Sequence, residues 1–134
     1  AYDDLRDRLV VRESAGVWQL TLSGTPTWSQ LPTSGTPPPQ PQGDLFFDSP
    51  RDRILQVRAD GTVWALSMGA TPTWTSIANP PLPTGGHSPR IAHDAARDRL
   101  PWFRSSRPNA TLGLPLPGAT WAVMACDRGS PKVR

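Results

Sequence analysis

The sequence predicts an all-β protein built from three tandem copies of one sheet-forming unit, and three observations carry that prediction. Of 134 residues, 17 are Pro and 11 are Gly with 37% apolar side chains, a composition poor in helix formers and rich in turn formers. The triplet Arg-Asp-Arg stands at residues 6–8, 51–53 and 97–99, each time leading into an apolar run. An Asp precedes each triplet (Asp3, Asp48, Asp94) and a Trp follows at a matching place (Trp28, Trp74, Trp121). Two independent markers holding one period through three copies define repeats of approximately 1–47, 48–92 and 93–134.

The elements follow in order along each copy. Short β-rich runs come directly after the triplet, at Arg8 to Val11, Arg53 to Val57 and Arg99 to Phe103. Val17 to Leu22 and Thr62 to Leu66 alternate as half-buried strands do, and Asp60-Gly61 marks the hairpin that leads into the second of these. Each Thr-Trp segment supplies a further strand; Trp18 and Trp64 form an additional aligned pair that the third copy lacks. One more short strand precedes the triplet, at Asp44 to Asp48 and at Arg90 to Asp94. The third copy is ragged over Ser105 to Gly118 and recovers at Ala119-Thr120-Trp121. Four strands per copy, joined by turns, predict four-stranded antiparallel units of the kind that form propeller blades.

The series of Asp48, Arg51 to Arg53, Trp64, Pro72 to Trp74 and the connection Gly86-His87-Ser88-Pro89-Arg90 resembles the kelch-type repeat of bacterial β-propellers, over essentially the whole chain. The resemblance implies a single propeller segment spanning residues 1–134, with three kelch-like blades. The chain departs from the pattern where a glycine pair usually follows the second strand: Arg12-Glu13, Arg58-Ala59 and Arg104-Ser105 stand there instead. Closed propellers have about four to eight blades, so three leave the ring incomplete unless it is oligomeric or part of a longer chain. The end Ser130-Pro131-Lys132-Val133-Arg134 matches the start of Ser88-Pro89-Arg90-Ile91, and Ala1-Tyr2-Asp3 matches its continuation. The expected partners are therefore a head-to-tail second copy or the remaining blades of a larger protein.

The repeated residues read first as architecture. Arg6, Asp7, Arg8, Arg51, Asp52, Arg53, Arg97, Asp98 and Arg99 fall in the turn between the first and second strands, where guanidinium pairs to the triplet Asp and to the Asp upstream pin the turn and tie blades together. Trp28, Trp74 and Trp121 are expected to bury against the next sheet, with exposed Trp as the alternative that sugar-binding propellers use. The Pro-rich connections Pro32 to Gly43 and Asn79 to Pro89 read as stiff spacers on the face that also carries the 14–16, 59–61 and 105–109 turns. A ligand on that face would meet His87, Arg90, Arg107 and Asn109.

Chemistry is less legible. The single Cys126 excludes an internal disulfide, and no Cys/His set has zinc spacing. No GxSxG, HExxH or phosphate-binding Gly loop occurs. Copper enzymes of the galactose oxidase type are relatives of kelch-like propellers, but only Tyr2, His87, His93 and Cys126 are present as ligand types. Net charge is +3, distributed −2, +1 and +4 over the three repeats, and the basic residues of the third are dispersed without a nucleic-acid motif. No membrane-spanning apolar stretch or leader pattern is present, so the chain reads as soluble, with secretion open because no initiator Met begins it. The expectation is a non-catalytic binding or assembly module without cofactor; a lectin-like propeller and a copper-oxidase fragment are the alternatives.

Overall fold

A computed structural model describes residues 1–78, 90–103, 111–116 and 122–124. The described residues form strands, turns and two single-turn 3-10 helices, and among them no helix is long and apolar enough to cross a membrane. The first sheet is an antiparallel meander of β1 (Tyr2–Asp3), β2 (Arg8–Glu13), β3 (Gly16–Thr21) and β4 (Thr27–Leu31). Next in the chain comes β5 (Ser34–Gly35), and then the second meander, β6 (Asp44–Asp48), β7 (Arg53–Val57), β8 (Val63–Ser67) and β9 (Thr73–Ala78). The third consists of β10 (Arg90–Ile91), β11 (Arg99–Phe103), β12 (Thr111–Pro115) and β13 (Ala122–Met124), also in meander order. The chain divides into two compact units: Ala1–Leu82, holding the first two sheets, and Pro83–Arg134, holding the third.

The second and third strands pair in the same register in all three sheets. Arg8 pairs with Thr21, Arg53 with Ser67 and Arg99 with Pro115, each at the first residue of the second strand. The carbonyl of each triplet Asp then accepts the backbone N–H just past the third strand: Asp7 from Leu22 at 3.0 Å, Asp52 from Met68 at 2.9 Å and Asp98 from Leu116 at 2.9 Å. Within the ragged stretch of the third copy, Thr111–Pro115 is thereby a true third strand, and Leu114 and Leu116 keep the period-two alternation and are buried.

Three local features differ from the sequence reading. Asp60-Gly61 does make a hairpin, but with a three-residue loop, 59–61: Arg58 and Thr62 still bond at 3.0 Å, Gly61 donates to the Arg58 carbonyl at 2.9 Å, and Gly61 takes φ +82°. The first strand of the third copy shortens to Arg90–Ile91, with Asp94 joined to Arg99 by an isolated bridge. The Pro-rich connection contributes a strand, since β5 lies parallel to β9 at the sheet edge, Ser34 beside Thr73 and Gly35 beside Trp74.

Gly35 fixes how closely β5 approaches. Its φ is +77°, and a Cβ there would lie 2.5 Å from the Trp74 carbonyl oxygen. Gly24 has a similar φ of +75° with open space around it. Replacement of Gly24 by Ala is therefore expected to cost only the left-handed strain, about 1 kcal/mol. Gly35→Ala adds a backbone clash and is expected to cost at least twice as much in a urea unfolding titration; equal costs would show that β5 does not pack as described.

Candidate functional site

Each sheet carries one ionic frame, and it is built from the triplet and the Asp upstream of it. Asp3 and Asp48 are fully buried. Their carboxylates accept Arg8 Nε at 2.8 Å and Arg53 Nε at 2.7 Å, while Arg6 and Arg51 close from the other side at 3.2 to 3.4 Å. Asp94 repeats the arrangement, with Arg99 Nε at 2.9 Å and Arg97 Nη1 at 3.4 Å, and also caps the 3-10 turn by accepting the Arg97 N–H at 3.2 Å. Burial pushes Asp94 upward, but the Arg99 and Arg97 contacts outweigh it and hold the carboxyl below its ordinary range. The triplet Asp is left to adopt the left-handed conformation, at φ 47°, 45° and 51° for Asp7, Asp52 and Asp98, the three non-Gly residues with positive φ among those described. Asp tolerates that region better than most residues because its short polar side chain bonds locally.

Arg6 does more than close its own frame. Its guanidinium grips Asp52 of the second sheet with two parallel hydrogen bonds, Nη1 to Oδ1 at 2.7 Å and Nη2 to Oδ2 at 2.6 Å, and Nη2 also donates to the Met68 carbonyl at 2.9 Å. One side chain thus bridges the buried carboxylate of the first frame and the triplet carboxylate of the second. The hydrogen bond from Arg6 holds the Asp52 carboxyl below its usual range, and Asp52 in turn raises Arg6.

Apolar packing lies beside this lock. Val10 and Val17 of the first sheet meet Ile54, Leu66, Met68 and Trp74 of the second in one buried cluster. Arg12 extends over the Trp74 ring, 5.5 Å from its centroid, and donates to the carbonyls of Pro38 at 2.8 Å and Gln40 at 2.6 Å. Burial first, and then Arg58, lowers the guanidinium's affinity for its proton. From the other sheet, buried Gln56 donates Nε2 to the carbonyls of Gln40 at 3.3 Å and Gln42 at 3.0 Å. Residues 36–43 carry four prolines, which have carbonyls but no N–H, so this connection needs side-chain donors. The need fixes the Gln56 amide orientation and leaves its Oε1 buried with no hydrogen-bond partner.

The aligned tryptophans do not share an environment. Trp74 is 4% exposed, whereas Trp28 is 53% exposed, so the expectation that both bury against a next sheet is corrected for Trp28. Their positions within the sheets are equivalent, Trp28 opposite Leu20 and Trp74 opposite Leu66. The first sheet covers Trp74, and no described residue provides a corresponding cover for Trp28.

Among the anticipated ligand residues, Arg90 begins β10 opposite Phe103, while His87, Arg107 and Asn109 lie outside the described residues, as do Trp121 and Cys126. Tyr2 donates its hydroxyl to Asp7 at 3.0 Å, an interaction that raises its pKa, and His93 is half-buried. Among the described residues no group of three or more His, Cys, Asp or Glu could hold a metal ion. Sequence reading missed Arg12 and Gln56. The available signal was parity: Arg12 shares a strand face with core-facing Val10, and a charge there needs a partner. No family model, curated protein or solved structure matches the chain.

Two predictions follow from the ionic frames. Asp48→Ala leaves two guanidiniums without their shared acceptor and is expected to lower stability by about 3 kcal/mol or more in urea, against well under 1 kcal/mol for exposed Asp44→Ala. The Asp52 pair is partly exposed, with 39% of the carboxylate side chain accessible, so solvent screening limits its worth to about 1 kcal/mol. Because the folded-state carboxyl is depressed, that contribution is present above the unfolded value near pH 4 and disappears as pH falls through the folded value. Wild type and Asp52→Asn should therefore differ in stability at pH 7 and draw together as pH falls below the unfolded value near 4.

Proposed function

We propose that this chain is a non-catalytic binding and assembly module, a three-blade segment of a kelch-like propeller whose first two sheets stack through an arginine lock. The observation that carries the reading is Arg6, which serves its own sheet's frame and grips Asp52 of the next. Support also comes from the repetition of the frame: Asp3, Asp48 and Asp94 are each engaged by two arginines in the same pattern, which suits scaffold use better than acid/base chemistry. A double-mutant cycle of Arg6→Ala and Asp52→Ala tests the stacking. A coupling of about 1 kcal/mol is expected, and additive losses would refute it.

A second reading, a carbohydrate-binding propeller, is favoured by the exposed ring of Trp28. A panel of mono- and oligosaccharides titrated against tryptophan fluorescence separates the two. The assembly module is expected to show no saturable quenching; quenching abolished by Trp28→Ala would establish the lectin instead.

A further inference from the structure

We propose that the open face of the first sheet docks the third sheet of a second copy of this chain, with Arg97 of that copy taking Asp7 as Arg6 takes Asp52. The proposal deepens the assembly reading above and rests on it.

The argument begins with one row of side chains running across each sheet. In the second sheet the row is Phe47, Ile54, Leu66 and Trp74, each directly opposite the next. Ile54, Leu66 and Trp74 are buried, as is Met68 at the end of the row. The third sheet places Leu100 opposite Leu114, with Leu116 following, and all three are buried. The first sheet repeats the row as Tyr2, Leu9, Leu20 and Trp28, with Leu22 following. Here Leu9, Leu20 and Leu22 are only half-buried and Tyr2 and Trp28 are exposed. The large apolar side chains exposed among the described residues are Tyr2 and Trp28 in the first sheet and Leu5 in the turn between β1 and β2. A face that is dry in two copies and wet in the third is an apolar patch awaiting cover.

The polar end of the same face specifies what covers it. In the second sheet the corner beside the row presents the Asp52 carboxylate and the Met68 carbonyl, and both accept from Arg6. Their counterparts in the first sheet are Asp7 and Leu22, tied together by the same backbone hydrogen bond. The Tyr2 hydroxyl occupies Asp7 Oδ1, and a carboxylate with two oxygens accepts a guanidinium as well. The matching donor is Arg97, the counterpart of Arg6, whose side chain is 68% exposed while paired to Asp94, against 32% for Arg6 in its lock. Net charge agrees: −2 over residues 1–47 and +4 over 93–134 draw the first sheet of one copy toward the third sheet of another. The contact is heterologous, so it closes on itself in a ring or continues as an open chain.

Sedimentation velocity over two orders of magnitude in protein concentration tests the proposal. Wild type is expected to populate a species of two or more chains. Trp28→Ala, which removes an exposed ring, should weaken association about tenfold or more, while its urea midpoint stays close to that of wild type at concentrations where both are monomeric. Asp7→Arg and Arg97→Asp should each weaken it at least as much, and mixing the two variants should restore it, since every contact between unlike variants again joins opposite charges. A wild-type monomer at all concentrations would overturn the proposal, as would Trp28→Ala or charge variants that associate like wild type, or a mixture that stays apart. A monomer that retains Arg6/Asp52 coupling refutes this docking alone, whereas loss of that coupling refutes the stacking reading beneath it.

Discussion

The burial of one carboxylate between two guanidiniums is the constraint on which the structure turns. An ionised Asp removed from water is costly, by several kcal/mol even after relaxation, unless its oxygens are filled. Asp3 and Asp48 satisfy this with an Nε donor on one side and an Nη donor on the other. Meeting the requirement dictates the backbone. The two arginines must flank a residue that turns the chain sharply, which places the intervening Asp at positive φ. That Asp then offers its carbonyl to the end of the third strand, setting its register and with it the apolar row across the sheet. A charge requirement at one residue is thus converted into the placement of side chains three strands away.

Between the first two sheets the polar and apolar contributions divide the labour. The cluster of Val10, Val17, Ile54, Leu66, Met68 and Trp74 supplies non-directional burial, roughly 1.5 to 3 kcal/mol for each fully buried aliphatic side chain. Arg6 supplies direction, because a planar guanidinium meets a carboxylate in parallel hydrogen bonds only at one relative setting of the two sheets. Arg12 and Gln56 then hold the proline-rich connection from opposite sides and share the Gln40 carbonyl. The connection is stiff because its residues are prolines, and it stays in place because its surplus acceptors find donors.

Much of this was legible in the sequence because it repeats. The strands Arg53–Val57, Asp44–Asp48 and Arg99–Phe103 stand where the triplet spacing placed them, and the pairing of the triplet arginines with the upstream Asp follows from their proximity in the turn. What repeats is local, and local chemistry is readable. The features that were missed depend on neighbours far along the chain. Arg12 stood out only as a departure from a glycine pattern, and its role needs Trp74, Pro38 and Gln40, which periodicity does not bring together. Trp28 and Trp74 are identical in local context, yet one is wet and the other dry, since burial is decided by the sheet stacked on the ring and not by the strand that bears it.

The two-residue strand β5 has a consequence for colloidal behaviour. A sheet edge with free N–H and C=O groups invites another chain to add a strand and begin a fibril. On the second sheet that edge is β9, and Ser34–Gly35 occupies part of it. Pro32 lies just before this cover and Pro37 to Pro39 just after, so the segment has few amide hydrogens with which to recruit a further strand. The same connection that carries the chain from one sheet to the next therefore acts as a selvedge, finishing the fabric so that it cannot be knitted onward.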